Sequence, residues 1–163
     1  MQVTAGVARS RCPSTVSIVA TVDSACRPRG FTAGSFTWLS SRPPRVAFCL
    51  ARSADSYPAF ERADGFSVNV LRIDDEELAT RFATKGADKF AGGEFSNGTG
   101  RYPVLSTAAV VLQCRVHERL TGSDHLFVIG EVIDARVSDG DVAAIIYGNA
   151  FRSVEDLPPL RSK

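Results

Sequence analysis

Short segments rich in Val, Ile, Thr and Phe, most of them bounded by turn residues, recur along this chain and constrain its fold more than any other feature. Phe66–Leu71 alternates with period two, as a half-buried strand does, and Asp64-Gly65 precedes it as a turn signal. We predict strands at seven segments: Thr15–Val22, Gly30–Leu39, Arg45–Leu50, Phe66–Leu71, Ala108–Leu120, His125–Val137 and Ala143–Tyr147. This pattern favours an antiparallel barrel, because closure removes the exposed edges of a sheet.

Helices are expected only in the connections between strands. Ser53–Arg62 is predicted as a short helix with Ser53 as its N-cap, and Asp74–Ala83 as a second, with acidic residues at its positive end. Lys85–Pro103 contains five glycines and is predicted to be a long loop, a feature that is usually functional in a compact domain. The tail at 153–163 carries two adjacent prolines and is expected to be extended.

The size and charge of the chain limit both its organisation and its partners. A length of 163 residues fits one domain, at 1–163, that is long enough to bury a core. The formal net charge of +1 argues against a nucleic-acid partner and against an anionic membrane surface. No apolar run approaches the about 18 residues of a membrane span, and the N-terminal segment lacks the ordered parts of a signal peptide.

The four cysteines and two histidines give no metal-binding pattern. No two cysteines have CxxC spacing, so a structural zinc site has no support, and Cys49 and Cys114 lie inside apolar segments like small buried hydrophobic residues. A reducing cytoplasm is therefore the simpler location to expect.

Several common catalytic arrangements are absent from the sequence. Ser123, Asp124 and His125 are adjacent in the chain and cannot adopt the geometry of a hydrolytic triad, and no GxSxG elbow is present. Neither a phosphate-binding GxxxxGK[ST] loop nor a GxGxxG turn between strand and helix occurs. A bound nucleotide would therefore require a different architecture.

The stretch Gly30–Ser56 carries the clearest ligand-binding signal. Thr32–Ser35 is a corner of small residues, where a flat ligand can lie against bare backbone N–H groups. After the apolar run Val46–Leu50, the chain continues with one arginine and two serines, which suit a phosphate. A plain hairpin with a polar loop fits the same residues. His125 begins a strand after a turn and is expected at the rim of the barrel, where ligands enter, and Lys89 is a second cationic candidate.

Six motifs in order make the chain similar to the flavin reductase-like family, over about residues 5–152. They are Pro13-Ser-Thr-Val-Ser-Ile-Val, Gly30-Phe-Thr-Ala-Gly-Ser-Phe, Ser40-Ser-Arg-Pro-Pro-Arg-Val, Phe66-Ser-Val-Asn-Val-Leu, Asp88-Lys-Phe-Ala-Gly and Asp124-His-x-x-x-x-Gly-Glu-Val. Cys49-Leu-Ala-Arg-Ser and Lys89-Phe-Ala-Gly-Gly-Glu-Phe resemble most the reductases of actinomycete antibiotic pathways. One departure is Gly34, where the family usually has Asn or Ser, so that a side-chain contact to the flavin ring is lost.

The resemblance implies a mainly β fold, an FMN-binding split β-barrel of antiparallel Greek-key strands with short helices in the connections. It also implies a homodimer with the flavin near the subunit interface. The cofactor-binding residues that it implies are Pro28, Arg29, Gly30, Phe31, Thr32, Ala33, Gly34, Ser35, Cys49, Leu50, Ala51, Arg52, Asp55, Ser56, Arg81, Phe82 and Lys89. His125 and the segment with Tyr147, Gly148 and Asn149 match positions on the nicotinamide side, where His125 would position nicotinamide or flavin.

The activity implied by the resemblance is hydride transfer from NADH, or less favoured NADPH, to FMN or FAD. Reduced flavin would then pass to the monooxygenase of a two-component system, in the antibiotic pathways of the nearest members. Such chemistry needs no catalytic base, which agrees with the missing dyad. The alternatives are a non-enzymatic flavin- or haem-binding carrier or sensor, and an oxidase of the pyridoxamine-phosphate type, which would need more basic residues. FMN against FAD, and NADH against NADPH, stay open from the residues alone.

Overall fold

The β-branched and aromatic segments of the sequence form strands, and the expected mainly β class is confirmed. The structure is a computed structural model that describes residues 4–139 and 143–153. Within those ranges the strands are β1 (Ser14–Thr15), β2 (Ser17–Val22), β3 (Pro28–Ala33), β4 (Thr37–Ser41), β5 (Pro44–Ala51), β6 (Gly65–Val70), β7 (Phe95–Asn97), β8 (Pro103–Leu105), β9 (Val110–Thr121), β10 (His125–Val137), β11 (Ala144–Tyr147) and β12 (Ala150–Ser153). The helices are α1 (Ala5–Ser10), α2 (Tyr57–Phe60) and α3 (Glu76–Ala83), with a 3₁₀ turn at Ile73–Asp75 before α3.

Seven strands form one antiparallel sheet in the order β3–β2–β6–β9–β10–β5–β4. The long hairpin of β9 and β10 is the one expected from the sequence, with Leu126 opposite Thr121. β10 also pairs with β5, and this register sets His125 opposite Ala51. The start of β10 and the end of β5 therefore lie side by side at one end of the sheet.

The sheet does not close into a barrel ladder within the described residues, which corrects the expectation of full closure. Its two edge strands, β3 and β4, follow each other in the chain and are joined by Gly34, Ser35 and Phe36 alone. This three-residue corner carries the chain across the gap, so that β4 pairs with β5 and the outer edge of β3 forms no ladder. Gly30–Leu39, predicted as one strand, is thus two strands with the corner between them.

Two clusters of buried side chains form the core. In the first, Phe31, Phe48, Phe60 and Phe66 pack edge-on or tilted, with the rings of Phe48 and Phe66 5.0 Å apart between centroids. In the second, the apolar face of α3 covers β2, and Phe82 on that face is fully buried. Leu78 and Phe82, four positions apart on α3, are both buried, and they anchor α3 beside the free edge of β3.

The connections differ from the predictions in several places. The helix expected at Ser53–Arg62 is only the four residues of α2. Pro58 is tolerated only in the first turn, so the helix cannot begin after Ser53, and its N-cap is Ser56. The long loop Lys85–Pro103 contains β7, which pairs with β8. α1 and β12 were not predicted. Of the tail 153–163, only residue 153 lies within the described ranges.

A tight turn connects β11 to β12. Gly148 and Asn149 both have positive φ, +64° and +60°, as the two central residues of a type I′ hairpin require. The N–H of Gly148 donates to the carbonyl of Ser10 at 2.8 Å, which ties this turn to the end of α1. None of the helices in residues 4–139 and 143–153 is long and apolar enough to cross a membrane, and all four cysteines are free thiols.

Candidate functional site

A cavity of about 470 Å³, here called the corner cavity, opens between the β3–β4 corner, the end of β5 and the start of β10. A volume of this size lies in the range of small-molecule sites. Its lining consists of Arg9, Phe31, Thr32, Ala33, Gly34, Ser35, Cys49, Leu50, Ala51, Ser53, Ala54, Asp55, Phe82, Ala83, Lys85, Lys89 and His125. The predicted corner, the strand exit and His125 are therefore brought together in space.

A second cavity of about 390 Å³, here called the loop cavity, continues from the first and shares Asp55 and Lys89 with it. It is lined by Pro28, Arg29, Gly30, Asp55, Ser56, Gly86, Ala87, Asp88, Lys89 and Phe90. β3 runs along both cavities, with its first residues in the loop cavity and its last in the corner cavity. Because the outer edge of β3 forms no ladder, backbone groups along this wall are available to a ligand.

Two glycines, Gly30 in β3 and Gly34 in the corner, leave this wall without side chains. Packing excludes a side chain at the first position but not at the second. A Cβ atom on Gly30 would lie 3.0 Å from both Phe82 Cε1 and the carbonyl oxygen of Val19, so this backbone packs tightly on α3 and β2. A Cβ atom on Gly34 would meet only the hydroxyl of Ser14, at 3.3 Å. Gly34 is thus not required by packing, and its effect is to leave the corner without a side chain.

The hydroxyl groups of Ser35, in the corner, and of Thr32, at the end of β3, make hydrogen bonds to the backbone and do not face the cavity unpaired. Ser35 Oγ accepts from the N–H of Cys49 at 2.9 Å and donates to the carbonyl of Cys49 at 3.1 Å, which clamps the corner onto β5. Thr32 Oγ1 donates to the carbonyl of Ala79 at 2.6 Å and ties β3 to α3. These two contacts fix the distance between the walls of the corner cavity.

The polar exit of β5 supplies one buried hydroxyl group without a partner. Ser56 is 2% exposed, and its Oγ makes no hydrogen bond to any residue that the structure describes. The neighbouring Asp55 carboxylate is engaged, since its Oδ2 accepts from the N–H of Gly86 at 2.7 Å. A buried hydroxyl with unused hydrogen-bonding capacity is a group that a ligand can satisfy.

Two lysines from the glycine-rich loop line the cavities, Lys85 the corner cavity and Lys89 both of them. Lys89 Nζ donates to the carbonyl of Gly30 at 3.3 Å, and Lys85 Nζ donates to the carbonyl of Ser53 at the same distance. Burial lowers the pKa of Lys89, while the nearby charge of Asp55 raises it. An anion bound here would favour the charged form of Lys89.

His125 is held by its neighbour in the chain. Its Nδ1 lies 2.8 Å from Asp124 Oδ1, and this hydrogen bond lowers the pKa of Asp124. An ionised carboxylate only accepts, so Nδ1 carries a proton, and Nε2 is the ring nitrogen that this contact leaves free. The His125 side chain is 49% exposed, which agrees with the rim position expected from the sequence.

Five of the residues that the family resemblance implies do not line either cavity. Arg52 stacks its guanidinium on the ring of Tyr57, 5.9 Å from the centroid, and Arg81 pairs with Glu94. The other three, Tyr147, Gly148 and Asn149, form the β11–β12 turn, beside Ser10 and one residue from Arg9 of the corner cavity.

The cavities also contain residues that the family resemblance does not imply, one of which, Ser53, belongs to the predicted polar exit of β5. They are Arg9, Ser53, Ala54, Ala83, Lys85, Gly86, Ala87, Asp88 and Phe90. Five of them belong to the glycine-rich loop that was expected to be functional, so the composition of that loop was the available signal. Arg9 gave none, because it reaches the cavity from a helix that the sequence did not predict.

The residues present fit a flavin nucleotide. The bare strand edge suits a flat polar ring, and the buried Ser56 hydroxyl with the Lys89 ammonium suits a phosphate. The corner residues line the first cavity and Ser56 lines the second, so a nucleotide that spans both can place its ring at the corner and its phosphate near Ser56 and Lys89.

The family profile described as "Flavin reductase like domain" matches residues 9–155 of the chain. Among curated relatives, actinorhodin polyketide dimerase of Streptomyces coelicolor is 43% identical over 147 residues, covering 90% of this chain and 83% of that protein. NADH:riboflavin 5'-phosphate oxidoreductase of Streptomyces pristinaespiralis is 40% identical over 134 residues, covering 81% and 76%. The reductase subunit HsaB of a flavin-dependent monooxygenase from Rhodococcus jostii is 30% identical over 140 residues, covering 86% and 71%.

A solved structure with the same fold is the NADH:FAD oxidoreductase SgcE6 of Streptomyces globisporus C-1027, in complex with NAD and FAD fragments. Its TM-score is 0.84 at 29% identity, and the match covers 95% of this chain and 92% of that one.

Proposed function

The chain belongs to the flavin reductase-like family, and from this premise we propose that it is an NAD(P)H:flavin oxidoreductase that releases reduced flavin to a partner monooxygenase. The observation that carries the proposal is the pair of connected cavities, which the bare edge of β3 follows and of which the second is lined by the unpartnered buried hydroxyl of Ser56. The relatives named as NADH:flavin oxidoreductases and as a monooxygenase reductase subunit support the same reaction.

The flavin ring would lie in the corner cavity and its phosphate in the loop cavity. Backbone N–H groups of the corner and of the β3 edge would bind the polar rim of the ring, where negative charge develops on reduction. Ser56 and Lys89 would bind the phosphate. Arg52 and Arg81 stay predicted flavin contacts, although each must leave its present neighbour to reach one.

When bound, a flavin supplies the hydride acceptor, and NADH or NADPH supplies the hydride. Since this transfer needs no protein base, the residues of the site act by binding and orientation. His125 would hold the nicotinamide or the flavin at the rim through Nε2, the ring nitrogen that Asp124 leaves free. Tyr147, Gly148 and Asn149 stay assigned to the nicotinamide side, next to the helix that carries Arg9.

Loose binding of the flavin follows from its role as a departing product. Gly34 gives the corner no side chain with which to hold the ring, and no packing contact requires a glycine there. A reductase that releases its flavin gains from such an open corner, because uniform tight binding would slow the release.

The proposal extends to assembly and pathway. Trp38 and Leu39 are 55% and 46% exposed on the edge strand β4, next to the corner. Exposed apolar residues on an edge strand support a homodimer that covers them near the flavin site. The similarity to the actinorhodin protein supports a role in antibiotic biosynthesis.

Steady-state oxidation of NADH and NADPH, each with FMN, FAD and riboflavin, tests the proposed function. We expect protein-dependent oxidation with at least one flavin, and faster oxidation of NADH than of NADPH. Flavin binding without oxidation of either dinucleotide would contradict the enzyme and favour the carrier.

A further inference from the structure

Arg9 lines the corner cavity without a partner of its own. Within the described part of the chain, its guanidinium group makes no ion pair and no hydrogen bond. The two lysines of the same lining do have partners, because Lys85 and Lys89 donate to the backbone carbonyls of Ser53 and Gly30. Arg9 lines the corner cavity and not the loop cavity, so it brings an unengaged positive charge to the side proposed for the flavin ring and not to the side proposed for the phosphate.

The backbone around Arg9 is held in place, although the residue itself is exposed. The N–H of Gly148 donates to the carbonyl of Ser10 at 2.8 Å, so the β11–β12 turn fixes the end of α1. β1 follows closely and pairs with β11, with Ser14 opposite Ile146. These contacts bring a positive charge to the cavity and leave the guanidinium group itself unengaged. A charge that is already in place stabilises an opposite charge without the cost of reorganisation.

The charged side chains that line the corner cavity are mostly positive. Arg9, Lys85 and Lys89 are opposed there, among the described residues, by Asp55 alone, and the Asp55 carboxylate already accepts from the N–H of Gly86. A hydride carries two electrons and one proton, so its transfer to an uncharged ring adds one negative charge. The lining therefore favours the ring after the transfer over the ring before it.

The size of the cavity keeps any ring in it close to Arg9. A sphere with the volume of the corner cavity, about 470 Å³, is about 10 Å across, and the Debye length at 0.1 M salt is about 10 Å. The guanidinium group and the ring therefore interact without full screening by salt. Because Arg9 is exposed, water weakens the interaction, and such a modest effect still lets reduced flavin depart.

From these observations we propose that Arg9 stabilises the negative charge that hydride transfer leaves on the flavin ring, and that the β11–β12 turn positions Arg9 through Ser10. The proposal rests on the proposed function for the place of the ring in the corner cavity. It gives the cavity a preference for reduced over oxidised flavin, and this preference can be measured without NADH.

Anaerobic titrations with oxidised FMN, and with FMN reduced by dithionite, test the assignment. We expect Arg9→Gln to weaken the binding of reduced FMN by about 3- to 10-fold and that of oxidised FMN by less than about 2-fold, because only the reduced ring carries the added charge. A 10-fold loss lowers the midpoint potential of the bound FMN by about 30 mV, since the couple transfers two electrons. Arg9→Lys keeps the charge and should keep most of the preference.

Arg11→Gln is the matched control, because Arg11 directly follows the same helix, is exposed and lines neither cavity. It should leave both affinities unchanged. The difference between the wild type and Arg9→Gln should shrink as the salt concentration rises from about 0.01 M to about 1 M, because the Debye length falls from about 30 Å to about 3 Å. Since dithionite replaces NADH, these measurements succeed or fail independently of dinucleotide oxidation.

Several results would overturn the proposal. Equal losses of affinity for oxidised and reduced FMN would make Arg9 a general binding contact or a structural residue. Unchanged FMN affinities with a raised KM for NADH would assign Arg9 to the phosphates of the dinucleotide instead. Unchanged values in every measurement, or no binding of FMN to the wild type, would remove Arg9 from the reaction.

Discussion

The hydroxyl side chains at the corner stabilise the fold and are not free to bind a ligand. The family resemblance implies that Thr32 and Ser35 contact the flavin, yet the hydroxyl groups of both residues bond to backbone carbonyls of other elements. In the described part of the chain, the buried hydroxyl groups without a partner are those of Thr15, Ser17 and Ser56, and of these three Ser56 lines the loop cavity. Knowing which hydroxyl groups already have hydrogen-bond partners therefore distinguishes ligand-binding residues from structural ones. Residue type alone does not make this distinction.

Removing the Ser35 hydroxyl should loosen the corner. Ser35→Ala loses two hydrogen bonds to the backbone of Cys49, and we expect the free energy of unfolding to fall by about 1 kcal/mol. Urea denaturation measures this loss. Ser53→Ala, which removes an exposed hydroxyl of the same cavity that makes no hydrogen bond to the described residues, is the matched control and should change stability by less than about 0.5 kcal/mol. Equal effects of the two changes would contradict the clamp.

Replacing His125 should change the rate of flavin reduction more than the affinity for oxidised flavin. His125→Ala should slow the reduction of flavin by about 10-fold or more, because misplacement of the reacting rings lowers the rate steeply. The affinity for oxidised flavin should change far less, since the cavity walls remain. His117→Ala, an exposed histidine on β9 outside the cavities, is the control. Single-turnover kinetics and flavin titration give the two readouts, and an unchanged reduction rate would remove His125 from the site.

The pairing of strands and the packing of α3 determine where the cavities open. The β9–β10 hairpin brings His125 beside the end of β5, and the short corner between β3 and β4 leaves the outer edge of β3 without a ladder. α3 then packs beside that edge and supplies Phe82 to the corner cavity. The site is thus the consequence of one incomplete closure of the sheet.

Gly130 in β10 has no side chain, and this allows Phe66 to pack directly against the strand. A Cβ atom on Gly130 would lie 2.7 Å from Phe66 Cε1 and 3.0 Å from Cys114 Cβ, and Phe66 is fully buried against Phe48. Gly130→Ala should therefore lower the free energy of unfolding by about 1–3 kcal/mol.

The control for this change is Gly6→Ala, within α1 and with no atom within 4 Å of the added Cβ. It should raise stability by about 0.5–1 kcal/mol, because alanine is the better helix former. Thermal denaturation of both variants compares the two effects, and a neutral Gly130→Ala would contradict the packing described for β10.

Across the whole molecule, the sequence predicts strands and turns that depend on neighbouring residues. It does not predict which distant residues the fold brings together in the site. The strands at β6, β9 and β10 were found because their apolar patterns or composition are evident in single segments. The small-residue corner was visible for the same reason. Arg9, Lys85 and Asp88 were not assigned, because their place in the site depends on how α1 and the glycine-rich loop fold back onto β3 and β5.

The failure of closure was also beyond the sequence. Which edge of a sheet stays unpaired depends on long-range pairing, here on β5 pairing with β10 and leaving β3 to its single partner β2. Likewise, the hydroxyl groups of Ser35 and Ser56 look alike in the chain, and only their neighbours in space distinguish a clamp from a free donor.

The proposed function depends on one step, the transfer of hydride from a nicotinamide nucleotide to a flavin in the corner cavity. Stopped-flow absorbance at the oxidised-flavin band, after anaerobic mixing of protein and flavin with NADH or NADPH, tests it most directly. We expect bleaching that depends on the protein concentration and is faster with NADH. Absence of protein-dependent bleaching with both dinucleotides would contradict it.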